Sequence, residues 1–211
     1  MQKGPQASSR DLYTTTVAGV FIIALIGLWS FPKTEYFQIV NPVHNDFLDG
    51  FFKTITYLGD GWVSIIVGLA LLLTGKKPLG SMVLAGFALS GLLSQLLKSF
   101  VSMPRPRAII PDSAYPHFIA DYTLNAWNSF PSGHTASVFT LTALLAWNSS
   151  IPPRKFTLAV AAILTGYSRI YLGQHFPDDV LSGALLGLFS AYGVMMLKDR
   201  FELRNKTARH G

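Results

Sequence analysis

The stretch Ser168-Arg169-Ile170-Tyr171-Leu172-Gly173-Gln174-His175-Phe176-Pro177-Asp178-Asp179 lies between the last two apolar segments of this chain. The imidazole of His175 and the carboxylate of Asp179 are one helical turn apart, and Arg169 lies shortly upstream. Ionisable groups buried unpaired beside lipid cost several kcal/mol, so an apolar sequence should not carry them without a use. We therefore expect a functional cluster here, with a structural group of ion pairs at a helix junction as the alternative.

The composition indicates an integral membrane protein. Of the 211 residues, 50% are hydrophobic and 13% are charged, whereas soluble domains carry roughly one quarter charged residues. Helices packed in a bilayer need no separate soluble core, so we predict a single all-α membrane domain over residues 1–211. The chain has no cysteine, which excludes disulfides and thiolate metal sites. The net charge of +6 is dispersed, which favours contact with lipid headgroups over nucleic-acid binding.

Six apolar runs predict a bundle of six transmembrane helices, because a bilayer core needs about 20 apolar residues per helix. The predicted spans cover about 12–31, 52–75, 79–100, 132–147, 156–172 and 179–197. The mixed segment 33–53 is typical either of a short amphipathic helix at the membrane surface or of a polar connector. Gly59-Asp60-Gly61 predicts a kink or loop near the outer end of the second span.

Two further patterns concern packing and the long loop. Gly183, Gly187 and Ala191 form a stripe of small residues at which the last helix can approach a neighbour closely. The segment 101–130 contains several prolines and cannot be one continuous helix. Its aromatic residues would allow it to cover a site or to rest on headgroups.

The distribution of Lys and Arg predicts the orientation. With six spans both termini lie on one side, and that side carries eleven of the 17 basic residues: Lys3, Arg10, Lys76, Lys77, Arg154, Lys155, Lys198, Arg200, Arg204, Lys206 and Arg209. The positive-inside rule then places the termini in the cytoplasm and the polar stretches on the outer face. A bacterial inner membrane is the interpretation that fits the compact size.

Two other stretches carry polar residues at the same predicted end of the bundle. Lys98 and Arg105 flank the end of the third span and could be interfacial anchors. Ser132-Gly133-His134 begins the fourth span, where exposed backbone N–H groups can hold an anion. An ordinary N-cap beside an interfacial histidine is the alternative. Because all three stretches share one side, we interpret them together as one site.

The three stretches resemble the three signature motifs of the type 2 phosphatidic acid phosphatase family, which shares its active site with vanadium haloperoxidases. The matching patterns are Lys-x6-Arg-Pro at 98–106, Pro-Ser-Gly-His at 131–134 and Ser-Arg-x5-His-x3-Asp at 168–179. The resemblance implies a membrane lipid phosphatase that works through a phosphohistidine. It implies little about the headgroup, so undecaprenyl diphosphate, phosphatidylglycerophosphate, phosphatidic acid and lipid A phosphate are all expected candidates.

The resemblance also implies a role for each residue of the motifs. His175 would be the nucleophile, and Asp179 would accept its other ring proton. His134 would protonate the leaving oxygen and then take a proton from water. Five residues would hold the nonbridging phosphate oxygens: Lys98, Arg105, Ser132, Gly133 and Arg169. Asp178 matches no motif position and is interpreted as a helix-start carboxylate; His44, His117 and His210 are interpreted as lying outside the site.

Phosphoryl transfer depends mainly on positioning and charge stabilisation. The outer carboxylates are too scattered for a two-metal clamp, and three fixed cations can replace metal ions. We therefore expect no metal and no cofactor. Three other functions stay open: a lipid phosphotransferase using the same first half-reaction, a non-enzymatic phosphate-binding membrane protein, and, least favoured, a haloperoxidase. The sequence does not predict an oligomeric state.

Overall fold

The computed structural model describes residues 6–119 and 126–210, with side chains for 12–119 and 126–200. Every regular element in those ranges is helical, which confirms the all-α prediction. The nine α-helices of the described ranges are α1 Gln6–Ser30, α2 Lys33–Val40, α3 Asp46–Ile55, α4 Gly61–Leu73, α5 Lys77–Phe100, α6 Pro106–Ile109, α7 Gly133–Trp147, α8 Pro152–Tyr171 and α9 Pro177–His210. A 3₁₀ turn, Thr56–Gly59, joins α3 to α4.

Helix α7 is the centre of the bundle. It packs against α5, α8 and α9, and every residue from Thr135 to Leu144 is buried. The predicted stripe on α9 provides one of these contacts: a Cβ added at Gly187 would lie 2.5 Å from the carbonyl oxygen of Ala136. Only a residue without a side chain allows α9 to lie this close to α7.

The count of six membrane spans is not confirmed. Among the described residues, three helices are long and apolar enough to cross a bilayer: Leu12–Ser30, Lys77–Phe100 and Pro177–Arg200. A fourth crossing would be the bent pair Asp46–Gly59 and Gly61–Leu73. The predicted spans 132–147 and 156–172 form α7 and α8, but α7 has only 15 residues and α8 carries charged residues near both ends. Six spans therefore stay a prediction.

The interruption of the second span is confirmed. The two halves meet at 53°, and the break falls at the 3₁₀ turn and Asp60, as the Gly-Asp-Gly sequence predicts. The segment between the first two spans contains two short helices, α2 and α3, where the sequence predicts one short helix or a connector. Their placement at a membrane surface stays a prediction.

The polar end of the bundle is formed where several elements begin or end. Helices α5 and α8 end there, α7 and α9 begin there, and the segment 101–119 runs beside them. That segment contains only the single turn α6 and otherwise lacks a helix, as its prolines predict; residues 120–125 of the loop lie outside the described ranges. Its Tyr115 packs with Phe37 and Phe176 in a small apolar cluster behind the site.

Candidate active site

His175 lies in the turn between α8 and α9. Its backbone N–H donates to the carbonyl oxygen of Arg169 at 3.1 Å, and so does that of Gln174 at 3.0 Å. Gly173 has φ +64°, a left-handed conformation in which a side chain would be strained, and Phe118 occupies the space beside it. The turn thereby directs His175 into the protein, where only 2% of its surface is exposed.

Asp179 is fully buried and fixed from two sides. Its Oδ2 accepts hydrogen bonds from the backbone N–H of Phe176 at 2.9 Å and from the hydroxyl of Ser129 at 2.5 Å. The same oxygen lies 3.7 Å from Nδ1 of His175, which is longer than a hydrogen bond. The motif roles imply that Asp179 accepts the other ring proton, but at this distance its carboxylate makes no direct hydrogen bond to Nδ1. In this geometry only its charge reaches the ring.

Ser129 lies between the two groups. Its Oγ is 3.5 Å from Nδ1 of His175, and its side chain is fully buried. Nothing in the sequence predicts a role for Ser129, because a serine in a proline-rich loop carries no signal that distinguishes it from its neighbours. Its position next to both His175 and Asp179 follows only from the fold.

The imidazole of His175 is disfavoured as a cation. Burial lowers its pKa well below the ordinary value of 6.5, and the positive charges of Arg169, Arg105 and Lys98 lower it further, while a hydrogen bond with the Ser129 backbone raises it. A neutral ring keeps the lone pair that a nucleophile needs. Because Nδ1 faces Ser129 and Asp179, the lone pair belongs on Nε2, at the other side of the ring.

Lys98 lies within electrostatic range of Arg105, Arg169 and Asp179. Lys98 donates to the backbone oxygen of Asn128 at 2.9 Å. Arg105 donates to the backbone oxygen of Trp127 at 3.0 Å and to Oε1 of Gln174 at 2.6 Å. The first motif is thereby held against the segment 126–129, which also bonds to the backbone of Met103 and Arg105.

Arg169 is held by the break in the second span. One guanidinium N–H donates to the hydroxyl of Thr56 at 2.7 Å, and Arg169 itself is buried. The sequence predicts no role for Thr56 or Gln174, because both are uncharged polar residues that fill no fixed position of a motif. They orient the two arginines that the motifs predict.

Ser132 and Gly133 form the start of α7. Ser132 is its N-cap and accepts hydrogen bonds from the backbone N–H and the hydroxyl of Thr135. A Cβ at Gly133 would meet no atom within 4 Å, so the space on that side of Gly133 is open. The N-terminal N–H groups of a helix favour an anion at this place.

His134 differs from His175 in its surroundings. Its Nε2 lies 2.7 Å from Oδ1 of Asp60, and both side chains are 35% exposed. The sequence predicts Asp60 only as part of a kink. The carboxylate that reaches the second histidine comes from a different helix and lies outside all three motifs.

Asp178 and three histidines are expected to lie outside the reacting groups. Asp178, in the first turn of α9 as predicted, pairs with Lys33 at 2.8 Å, and Lys33 also lies 3.8 Å from Asp179. His44 stacks on His117 outside the motifs, and His210 lies beyond the described side chains. Within the described ranges no three His, Asp or Glu residues form a group that could hold a metal ion.

A cavity of about 220 Å³ lies beside the site, between α1, α2, α7, α8 and α9. Its walls are almost entirely apolar, and they include Ile23, Tyr36 and Val180. Val180 directly follows Asp179 in α9, so the cavity runs along the helix that carries the buried carboxylate.

Comparison with known proteins places this geometry in a family. The model of the PAP2 superfamily matches residues 80–202. The lipid A 4'-phosphatase of Porphyromonas gingivalis is 32% identical over 77% of this chain and 71% of its own length. The undecaprenyl-diphosphatase of Sulfolobus acidocaldarius is 28% identical over 76% of this chain and 75% of its own length. The crystal structure of Aquifex aeolicus LpxE superposes with a TM-score of 0.66 at 33% identity, over 80% of this chain and 98% of that one.

Proposed function

The chain belongs to the PAP2 superfamily, a family of lipid phosphatases, and from that premise we propose that it hydrolyses a lipid phosphomonoester or diphosphate through a phosphohistidine, without a metal ion. The observation that carries the proposal is the meeting of all three motifs at one end of the bundle. Two histidines, one buried carboxylate and three cations share that end.

In the first step Nε2 of His175 attacks the phosphorus atom. A bond forms between this nitrogen and phosphorus, while the bond from phosphorus to the leaving oxygen breaks and its electron pair stays with that oxygen. His134 delivers a proton to the same oxygen, which leaves as the alcohol or as the shorter phosphate. Asp179, fixed by Ser129 and the Phe176 N–H, stabilises the positive charge that develops on the ring.

In the second step water attacks the phosphohistidine. His134, now neutral, takes a proton from the water as the new P–O bond forms, and the P–N bond breaks to restore neutral His175. The His134 side chain is 35% exposed, which gives it contact with solvent between the two steps. The products are inorganic phosphate and the starting enzyme.

The cations and the start of α7 stabilise the charge of the transferring group. The transition state spreads negative charge over three equatorial oxygens, and Arg105 and Arg169 can each engage two oxygens. Lys98 and the backbone N–H of Gly133 complete the phosphate-binding set, with Ser132 beside them. These groups stabilise the negative charge that metal ions stabilise in other phosphatases.

An amphiphilic substrate is supported by the apolar cavity. Its lining includes Pro177 and Val180 in the first turn of α9, so an acyl chain lying there would lie next to the helix that follows His175. The relatives in the comparison act, by their names, on lipid A and undecaprenyl diphosphate. We infer a substrate of this chemical class, taken up from the outer leaflet of a bacterial inner membrane, with the termini in the cytoplasm and residues 1–211 as one domain.

The test is release of inorganic phosphate by the purified protein in detergent. Four substrates are compared: undecaprenyl diphosphate, phosphatidylglycerophosphate, phosphatidic acid and lipid A. The His175→Ala variant is the blank, and excess EDTA is added in a parallel series. We expect phosphate from at least one lipid, the same rate in EDTA and none from the blank. Loss of activity in EDTA would contradict the metal-free mechanism, and phosphate found on a second lipid instead of in solution would favour a phosphotransferase.

A further inference from the structure

The break in the second span lies against the active site. The 3₁₀ turn Thr56–Gly59 packs on α7 and α8, and its first residue holds Arg169. A Cβ added at Gly59 would lie 2.8 Å from Cβ of His134 and 2.9 Å from its carbonyl oxygen. Glycine at this position therefore allows the backbone of the break to touch the first turn of α7.

Asp60 follows Gly59 directly, and its side chain does not cap α4 as its position predicts. It is the N-cap residue of α4, where an aspartate side chain usually accepts a backbone N–H of the helix. Here the side chain makes no such capping bond. Its Oδ1 lies 2.7 Å from Nε2 of His134 instead, the length of a charge-assisted hydrogen bond.

We propose that Asp60 is a positioning residue for the acid–base chemistry of His134, an inference that rests on the phosphatase function proposed above. The carboxylate keeps a proton on Nε2 of His134, so Nδ1 is the nitrogen that gives a proton to the leaving oxygen and takes one from water. It also stabilises the doubly protonated ring that must exist before the first transfer. The site then contains two histidine–carboxylate pairs, one for each histidine.

The leaving group distinguishes this role from a structural one. An alkoxide leaves poorly without a proton, whereas the p-nitrophenolate anion is stable and needs little help. Asp60→Asn should therefore lower kcat/KM for short-chain phosphatidic acid by roughly 10- to 100-fold, within the range of general acid–base catalysis. For p-nitrophenyl phosphate the same variant should stay within about threefold of wild type, since kcat/KM reports the first, proton-independent transfer.

A double-mutant cycle tests whether Asp60 acts through His134. In the His134→Gln background the additional Asp60→Asn change should alter kcat/KM for phosphatidic acid by less than about twofold, because the group that Asp60 positions is already absent. Asp112→Asn is the matched control: Asp112 is an exposed carboxylate outside the three motifs that pairs with Arg107, and its loss should leave kcat/KM unchanged for both substrates.

Folding is checked by gel filtration in detergent and by thermal unfolding. If Asp60→Asn does not fold, Asp60→Ser replaces it, because serine is a good N-cap for α4 and lacks the charge. Equal losses on both substrates, or additive losses in the His134→Gln background, would overturn the role of Asp60 while the wild type stays active. A wild type inactive on every lipid phosphate would instead overturn the proposed function, and this inference with it.

Discussion

The two histidines of the site lie in opposite environments. His175 is 2% exposed and has a fully buried carboxylate, Asp179, next to it. His134 and Asp60 are each 35% exposed. The difference matches two different tasks: a nucleophile needs an unprotonated nitrogen held rigidly, and an acid–base group must exchange protons with water. In the proposed mechanism the buried pair therefore contains the nucleophile, and the partly exposed pair contains the acid–base group.

The largest expected effect is the loss of the buried histidine. His175→Ala removes the only atom that can form the phosphohistidine in the proposed mechanism, so we expect kcat to fall by at least about 10⁴-fold. His134→Ala should cost less, about 10²- to 10⁴-fold, because water can replace a proton donor in part. Phosphate release measures both.

His117→Ala is the matched histidine control, since His117 is exposed and stacks on His44 outside the site. It should keep wild-type activity. A smaller loss for His175→Ala than for His134→Ala would reverse the assignment of the two histidines.

The next largest effect is expected at Asp179 and not at the adjacent Asp178. Asp179→Asn removes the buried charge beside His175 and should lower kcat by roughly 10²- to 10⁴-fold. Asp178→Asn affects only a partly exposed pair with Lys33, and we expect less than about threefold, because such pairs contribute little. Steady-state kinetics on the same lipid compares the two, and equal losses would contradict the role given to Asp179.

A smaller effect is expected at the hydroxyl between the buried groups. Ser129→Ala removes the hydrogen bond to Oδ2 of Asp179, and we expect about a tenfold fall in kcat with KM unchanged. Ser190→Ala is the control, because Ser190 is equally buried but bonds to the backbone of Leu186 within α9. If both changes lower kcat equally, the Ser129 hydroxyl does not orient Asp179 and His175.

The smallest effect concerns pH and follows from the lowered pKa of His175. The folded protein keeps this ring neutral below pH 6.5, the ordinary histidine value, while the unfolded chain already binds the proton. The unfolded state thus binds more protons in that window, so His175 makes the protein less stable as the pH falls below 6.5.

The same shift keeps the nucleophile active at mildly acidic pH. We expect the acid limb of kcat/KM to lie below 6.5, and thermal unfolding of His175→Asn to depend less on pH than wild type over that window. An acid limb at or above 6.5 would show that the ring is not disfavoured as a cation.

Much of this site can be predicted from local sequence, because the motif residues lie at the ends of apolar runs. The order Lys98, Arg105, His134, Arg169, His175 is enough to expect them at one end of a helical bundle. Their partners could not be predicted. Thr56 is 113 residues from the arginine that it holds, and Ser129 is 50 residues from Asp179, so no local pattern connects them.

The sequence alone determined that this is an apolar, helical chain, interrupted at Gly59-Asp60-Gly61, with the three motifs that resemble those of the PAP2 superfamily. Only the tertiary structure decided which apolar segments lie inside the bundle. An apolar run suits lipid and a protein interior equally well, and only the fold shows that α7 is surrounded by α5, α8 and α9. The tertiary structure also brought Asp60 to His134, because a carboxylate at a helix break shows its partner only when the chain is folded.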